Sequence, residues 1–213
     1  IGHPLGERFS SHEAILRAVD AIADASDRVS LSRYGTTAGG RPLVLATGSS
    51  PKLLPGTSIT ERVITSDQAL WYDRIPSSAV VIGAGAVGLE FASFYRSFGA
   101  EVTLIEALQR IAPLEDEDLS KELARHFRKR GIQAFPGANV QGIDETEQGV
   151  KVVYDVGGET KAVTAEVCLI AVGRGPVTSD LGLDDGGVEL DRGFVKVDGQ
   201  LQSTAPHVWA VGD

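Results

Sequence analysis

The most constraining stretch of this 213-residue chain is a glycine-rich turn, Gly83-Ala84-Gly85-Ala86-Val87-Gly88, set between two patterns of different period. Before it, Ala79-Val80-Val81-Ile82 is a short apolar run of strand type. After it, Leu89 and the residues to Phe98 carry apolar side chains at helical spacing. A second strand, Val102-Thr103-Leu104-Ile105, ends in an acid, Glu106, 23 positions after Gly83. Strand, GxGxxG turn, helix, strand and terminal acid in that order form the fingerprint of a dinucleotide-binding unit. Gly83 permits the sharp turn, Gly85 leaves room for a pyrophosphate against the backbone, and Gly88 permits close packing of helix on strand. The phosphates are expected on the backbone amides of residues 83–88, including Ala84, Ala86 and Val87, at the positive end of the helix.

Glu106 is expected to accept hydrogen bonds from the adenosine-ribose hydroxyls and so to select NAD. A 2′-phosphate about 4 Å from that carboxylate meets a repulsion of about 4 kcal/mol at an effective dielectric near 20. Arg110 stands close by in sequence and is read as a solvated surface residue.

From Ser78 onward strands and helices alternate: strand 79–83, helix 86–98, strand 101–105, helix 117–130, strand 132–135. Parallel strands need crossovers of helical length, so this region is expected to form a parallel α/β sheet. The pattern then changes. Val140–Ile143, Val150–Tyr154 and Lys161–Val163 alternate and predict an antiparallel meander with a turn at Gly157-Gly158. Val167–Val172 is apolar throughout and is expected inside the sheet. Further segments are a capping-box helix over 10–25, opened by Ser10 and Glu13, a buried strand at Leu43–Ala46, and short strands at Phe194–Val197 and Val208–Val211.

The net charge of −9 disfavours a nucleic-acid partner, whose footprint is basic. No run of 18 apolar residues occurs and the first residues lack the order of a signal peptide, so no membrane association and a cytoplasmic location are expected. There is no methionine, position 1 included, so the chain is expected to be a fragment. Its single cysteine, Cys168, excludes an internal disulfide or a Cys-x-x-Cys pair and is read as a core residue. His3, His12, His126 and His207 show no metal-ligand spacing, and the Glu115–Asp118 cluster reads as a helix start rather than a calcium loop, so no metal site is expected.

Four separated motifs, Ala46-Thr47-Gly48-Ser49, Gly83–Glu90, Ala171-Val172-Gly173-Arg174-Gly175-Pro176 and Trp209-Ala210-Val211-Gly212-Asp213, resemble in order those of the flavoprotein pyridine-nucleotide disulfide oxidoreductases. The wording of Phe94–Glu106 and of Pro113–Asp118 is similar to the branch that oxidises dihydrolipoamide. The resemblance implies a Rossmann-like NAD-binding domain over 70–173, inserted in a partial FAD-binding domain made of 1–69 and 174–213. It implies that Glu90 lies near the nicotinamide end of NAD, Val140 at the adenosine portion, and Gly173 beside the cofactor. Thr47, Gly48, Ser49 and Asp213 are implied to bind FAD. It further implies a full-length enzyme, homodimeric, that passes electrons from a lipoyl-type dithiol through a cysteine pair and FAD to NAD+. The cysteine pair, the N-terminal FAD motif and the dimerisation domain are not in these residues, so no catalytic residue is expected within the fragment and it is expected to be inactive alone. Mercuric, mycothiol and transhydrogenating reductases of the same family, and a non-catalytic NAD-binding module, are the alternatives.

Overall fold

The computed structural model describes residues 43–212, together with 17, 20 and 21. The expected helix over 10–25 lies almost wholly outside the described residues, and Asp213 lies outside them as well. In chain order the elements are β1 (Leu43–Leu45), β2 (Ser49–Pro51), β3 (Val63–Thr65), α1 (Ser66–Ala69), β4 (Ser78–Ile82), α2 (Ala86–Ser97), β5 (Glu101–Glu106), α3 (Glu117–Lys129) and β6 (Gln133–Pro136). They continue with β7 (Ala138–Thr146), β8 (Gly149–Val156), β9 (Glu159–Ala165), β10 (Val167–Ile170), β11 (Arg174–Pro176), β12 (Leu190–Asp191), β13 (Phe194–Val195) and β14 (Val208–Ala210).

The described residues divide into two compact units, one of residues 48–177 and the other of residues 43–47 with 178–212. The first is built on a five-stranded parallel sheet in the order β3-β10-β4-β5-β6. The fully apolar run Val167–Ile170 therefore lies between two neighbours, as its composition predicts for a strand covered on both faces. Period-two alternation then sorts the side chains. Val81, Leu104 and Leu169 face α2 and α3, where they pack with Leu89, Ala92, Tyr95 and Phe127. Val80, Ile82, Ile105, Cys168 and Ile170 face the other way, onto Val150, Val152 and Tyr154 of the meander β7-β8-β9. The result is three layers: helices, parallel sheet and antiparallel sheet.

Local signals explain the boundaries. Asp116 accepts from the Asp118 and Leu119 amides and starts α3, whose last turn carries His126, Arg128 and Lys129 against the negative end of the dipole. Gly157 and Gly158 both have positive φ, which a tight hairpin between β8 and β9 demands. Thr65 and Gln68 form a reciprocal capping box at α1.

The second unit has little of this layering. Its described part holds the parallel pair β1-β14 and the hairpin β12-β13. The strand at Leu43 forms as expected, but it is not buried: Leu43 and Val44 are 39% and 52% exposed. An apolar run predicts pairing, whereas burial also needs a covering layer, and the described residues supply none over β1.

Candidate functional site

The nucleotide fingerprint becomes a groove at the C-terminal ends of β4, β5 and β10, the place where ligands bind in open parallel sheets. It has a volume of about 550 Å³. One wall is the turn into α2. Gly83 adopts φ 101° and its amide donates to the Ile105 carbonyl at 2.8 Å. A Cβ at Gly83 would stand 2.3 Å from the Ala171 carbonyl oxygen, and one at Gly88 only 1.9 Å from the Gly83 oxygen. At Gly85, by contrast, a Cβ would meet nothing within 4 Å. Two glycines are therefore required by the protein's own packing, and the third leaves backbone open toward the groove.

Gly85 caps α2 without a side-chain hydrogen bond, and the first turn carries no acidic residue. A helix start lacks intrahelical partners for its first amides, so this end offers donors and positive potential to an anion. The opposite wall carries Glu106, 8% exposed, whose Oε2 accepts from the Ala84 amide at 2.6 Å and Oε1 from the Leu108 amide at 2.8 Å. These two bonds fix the carboxylate, and each oxygen keeps a further lone pair for a ligand hydroxyl. Ala84 thus orients Glu106 from within the turn, a coupling between the two halves of the fingerprint.

Gly83, Gly85, Ala86, Val87, Glu106, Val140 and Gly173 all line this groove. Ala84 and Gly88 stand behind it, buried in the packing. Glu90 does not line it; it is exposed and borders a separate hollow with Phe91 and Phe94. Of the flavin-directed set, Gly48 has φ 73° and its carbonyl accepts from Val177 at 2.9 Å. Ser49 pairs with Pro176, and Arg174 donates to its hydroxyl at 2.6 Å and its carbonyl at 2.5 Å. Thr47 is exposed at the end of the other unit.

Arg110 corrects an expectation. Rather than being freely solvated, it is half-buried and donates to the Pro113 and Glu115 carbonyls at 3.0 and 3.1 Å, tying the loop that brings Pro113 and Leu114 to the groove. The sequence reading also passed over Leu108 and Asn139, both groove-lining. Leu108 could have been found from its place two residues after Glu106, within reach of a side-chain acceptor. Cys168 is fully buried and burial pushes its thiol up to about 12, which keeps it protonated and unreactive. Among the described residues no group of three His, Cys, Asp or Glu side chains could hold a metal ion, and no helix is long and apolar enough to cross a membrane.

Residues 8–213 match the family model described as pyridine nucleotide-disulphide oxidoreductase. The chain belongs to that family. Among curated proteins it is similar to the dihydrolipoyl dehydrogenases of Chlorobaculum tepidum, 38% identical over 82% of this chain and 38% of that protein, and of Bacillus subtilis, 40% identical over 80% and 37%. Among solved structures it is similar to LpdA from Mycobacterium tuberculosis, with a TM-score of 0.74 and 32% identity over 82% of this chain and 38% of that one. The chain thus spans under two-fifths of the length of these family members. Its layered α/β unit is the Rossmann-like fold that the family's motifs imply.

Proposed function

We propose that residues 70–173 are the NAD(H)-binding domain of a flavin-dependent disulfide oxidoreductase of the dihydrolipoyl dehydrogenase kind. Residues 1–69 and 174–213 are assigned to its FAD-binding domain, although β3 and α1, at the end of the first segment, lie in the same compact unit as the nucleotide groove, with β3 completing its parallel sheet. The observation that carries this reading is the opposition of two features across one groove: an uncapped helix start at Gly85 and the fixed carboxylate of Glu106.

The groove suits the proposed ligand. Its volume is within the 300–1,000 Å³ usual for small-molecule and cofactor sites. Amides of Ala86 and Val87 hold the pyrophosphate, and Gly85 lets it approach. Glu106 grips the adenosine ribose, while Val140 and Gly173 flank the cofactor. Glu90, outside the groove, is assigned to the nicotinamide end on the family resemblance alone. Thr47, Gly48, Ser49 and Asp213 are assigned to FAD on the same ground. Bound FAD supplies the redox chemistry that joins oxidation of a lipoyl-type dithiol to reduction of NAD+. This chain's residues bind and orient the nucleotide, and the reactive cysteine pair lies outside them. The whole enzyme is proposed to be a cytoplasmic homodimer.

Calorimetric titration tests the nucleotide assignment. NADH is expected to bind at least about tenfold tighter than NADPH, because a 2′-phosphate meets the Glu106 carboxylate. Equal affinities overturn it. The 213 residues alone, with FAD added, are expected to form no NADH from dihydrolipoamide; measurable turnover shows that the missing parts are misassigned.

A further inference from the structure

The loop that follows Glu106 holds a backbone conformation its sequence does not favour. Ala112 adopts φ 45°, the only residue other than glycine with positive φ among the described residues of 48–177. A β-carbon in that region crowds the following carbonyl, so the conformation persists only where the surroundings fix it, and such positions gather at ligand clamps. The bonds that fix it are explicit. The Ala112 amide donates to the Ala84 carbonyl at 2.8 Å. The Ala112 carbonyl accepts from the Glu115 amide and from the Ser120 hydroxyl, both at 3.0 Å.

These bonds differ in reach. The Glu115 bond, like the two from Arg110, begins and ends within residues 110–115, so it shapes the loop without placing it. Ile111 is buried and anchors the loop by packing, but apolar burial is non-directional and does not set the rotation of a peptide. Ser120, the fourth residue of α3 and only 2% exposed, supplies the directional tie to a rigid element. Ala84 is thereby held on both sides: its carbonyl by Ala112, and its amide on the Oε2 atom of Glu106 at 2.6 Å.

We propose that Ser120, which does not line the nucleotide groove, is a positioning residue for the adenosine ribose. Its hydroxyl holds Ala112, Ala112 holds Ala84, and Ala84 keeps the Glu106 carboxylate turned to the ribose hydroxyls. The inference rests on the reading of Glu106 as the ribose grip. It makes Ser120 a determinant of the preference for NADH over NADPH, because the 2′-hydroxyl is the group that NADPH lacks. Leu108 gives an internal comparison. It donates to the other oxygen of Glu106, yet its own carbonyl is held by the Gly137 amide at 2.8 Å, on a path that does not pass through Ser120.

The test is Ser120→Ala in the full chain, followed by amide chemical shifts without ligand and by calorimetric titration with each nucleotide. Alanine is the strongest helix former and the Ala112 carbonyl keeps the Glu115 amide, so the variant is expected to fold. Without ligand, the Ala84 amide proton is expected to move upfield as its bond to Glu106 loosens, with a smaller change at Leu108. NADH is expected to bind about fivefold more weakly, the net worth of one hydrogen bond, and NADPH to change by less than about twofold. A native chain that does not distinguish the two nucleotides removes the ribose reading and the role of Ser120 with it. A native chain that does distinguish them, beside a variant that keeps full NADH affinity or weakens both nucleotides equally, overturns the positioning role alone. So does an Ala84 amide that stays unmoved.

Discussion

The two units of this chain differ in how they cover apolar sequence. In residues 48–177 the apolar residues of β4, β5 and β10 are covered on both faces, by α2 and α3 on one side and the meander on the other. In the other unit β1 is just as apolar, yet Leu43 and Val44 are exposed, and so are Val197, Leu201 and Val211. Strand propensity is the same in both places; among the described residues only the first has layers to complete it. A compact unit of one parallel sheet can carry a site by itself, whereas a two-stranded pair is marginal without further cover.

The largest expected effect breaks the better-covered unit. Leu104→Ala removes a fully buried side chain beneath α2 and is expected to destabilise by about 2–5 kcal/mol, read by chemical denaturation. The equivalent truncation in the other unit, Val44→Ala, is expected to change stability by less than about 0.5 kcal/mol. Similar losses at both sites would erase the contrast.

Next comes Gly88→Ala. Its Cβ collides with the Gly83 carbonyl, backbone against backbone, so the turn must shift, at a cost of about 1–3 kcal/mol. Gly85→Ala meets no protein atom and is expected to leave the melting temperature nearly unchanged while weakening NADH binding. The pair separates packing glycine from ligand glycine by comparing thermal melts with titrations.

A smaller effect depends on pH. Glu166, in the bend just before β10, accepts from the Ser77 amide and hydroxyl, both at 2.8 Å, and pairs with Arg74. The Ser77 amide, then the guanidinium, hold its carboxyl down to about 2. A carboxyl lowered on folding adds stability above its unfolded value, near 4.3, and loses it as pH falls toward 2. Glu166→Gln is therefore expected to cost stability at pH 7 and to close on the native protein as pH falls through that window. A difference constant from pH 7 to 2.5 contradicts this account.

The parts legible in sequence were those fixed by short-range rules. The GxGxxG turn, Glu106, the alternation through β6, the meander and its Gly157-Gly158 turn follow from spacing and period, and their limits agree with the structure to within a few residues. Strand β3 and helix α1 escaped the reading, because Val63–Thr65 is three residues long and gains its place in the sheet from β10, more than a hundred positions away. Arg110 and Glu166 were opaque for the same reason: their partners are loop carbonyls and amides that only the folded chain brings to them. In the candidate site the glycines and the acid could be read directly. The amide of Ala84 holding Glu106 could not, since nothing in the sequence gives the distance across a turn.

The most direct test of the nucleotide groove is amide chemical-shift mapping as NADH is added to the chain. Saturable shifts centred on residues 84–88, with matching shifts at Leu108 as Glu106 takes up the ribose, are the expected result. Saturable binding that leaves those amides unmoved, or that is unaffected by Glu106→Ala, contradicts the account.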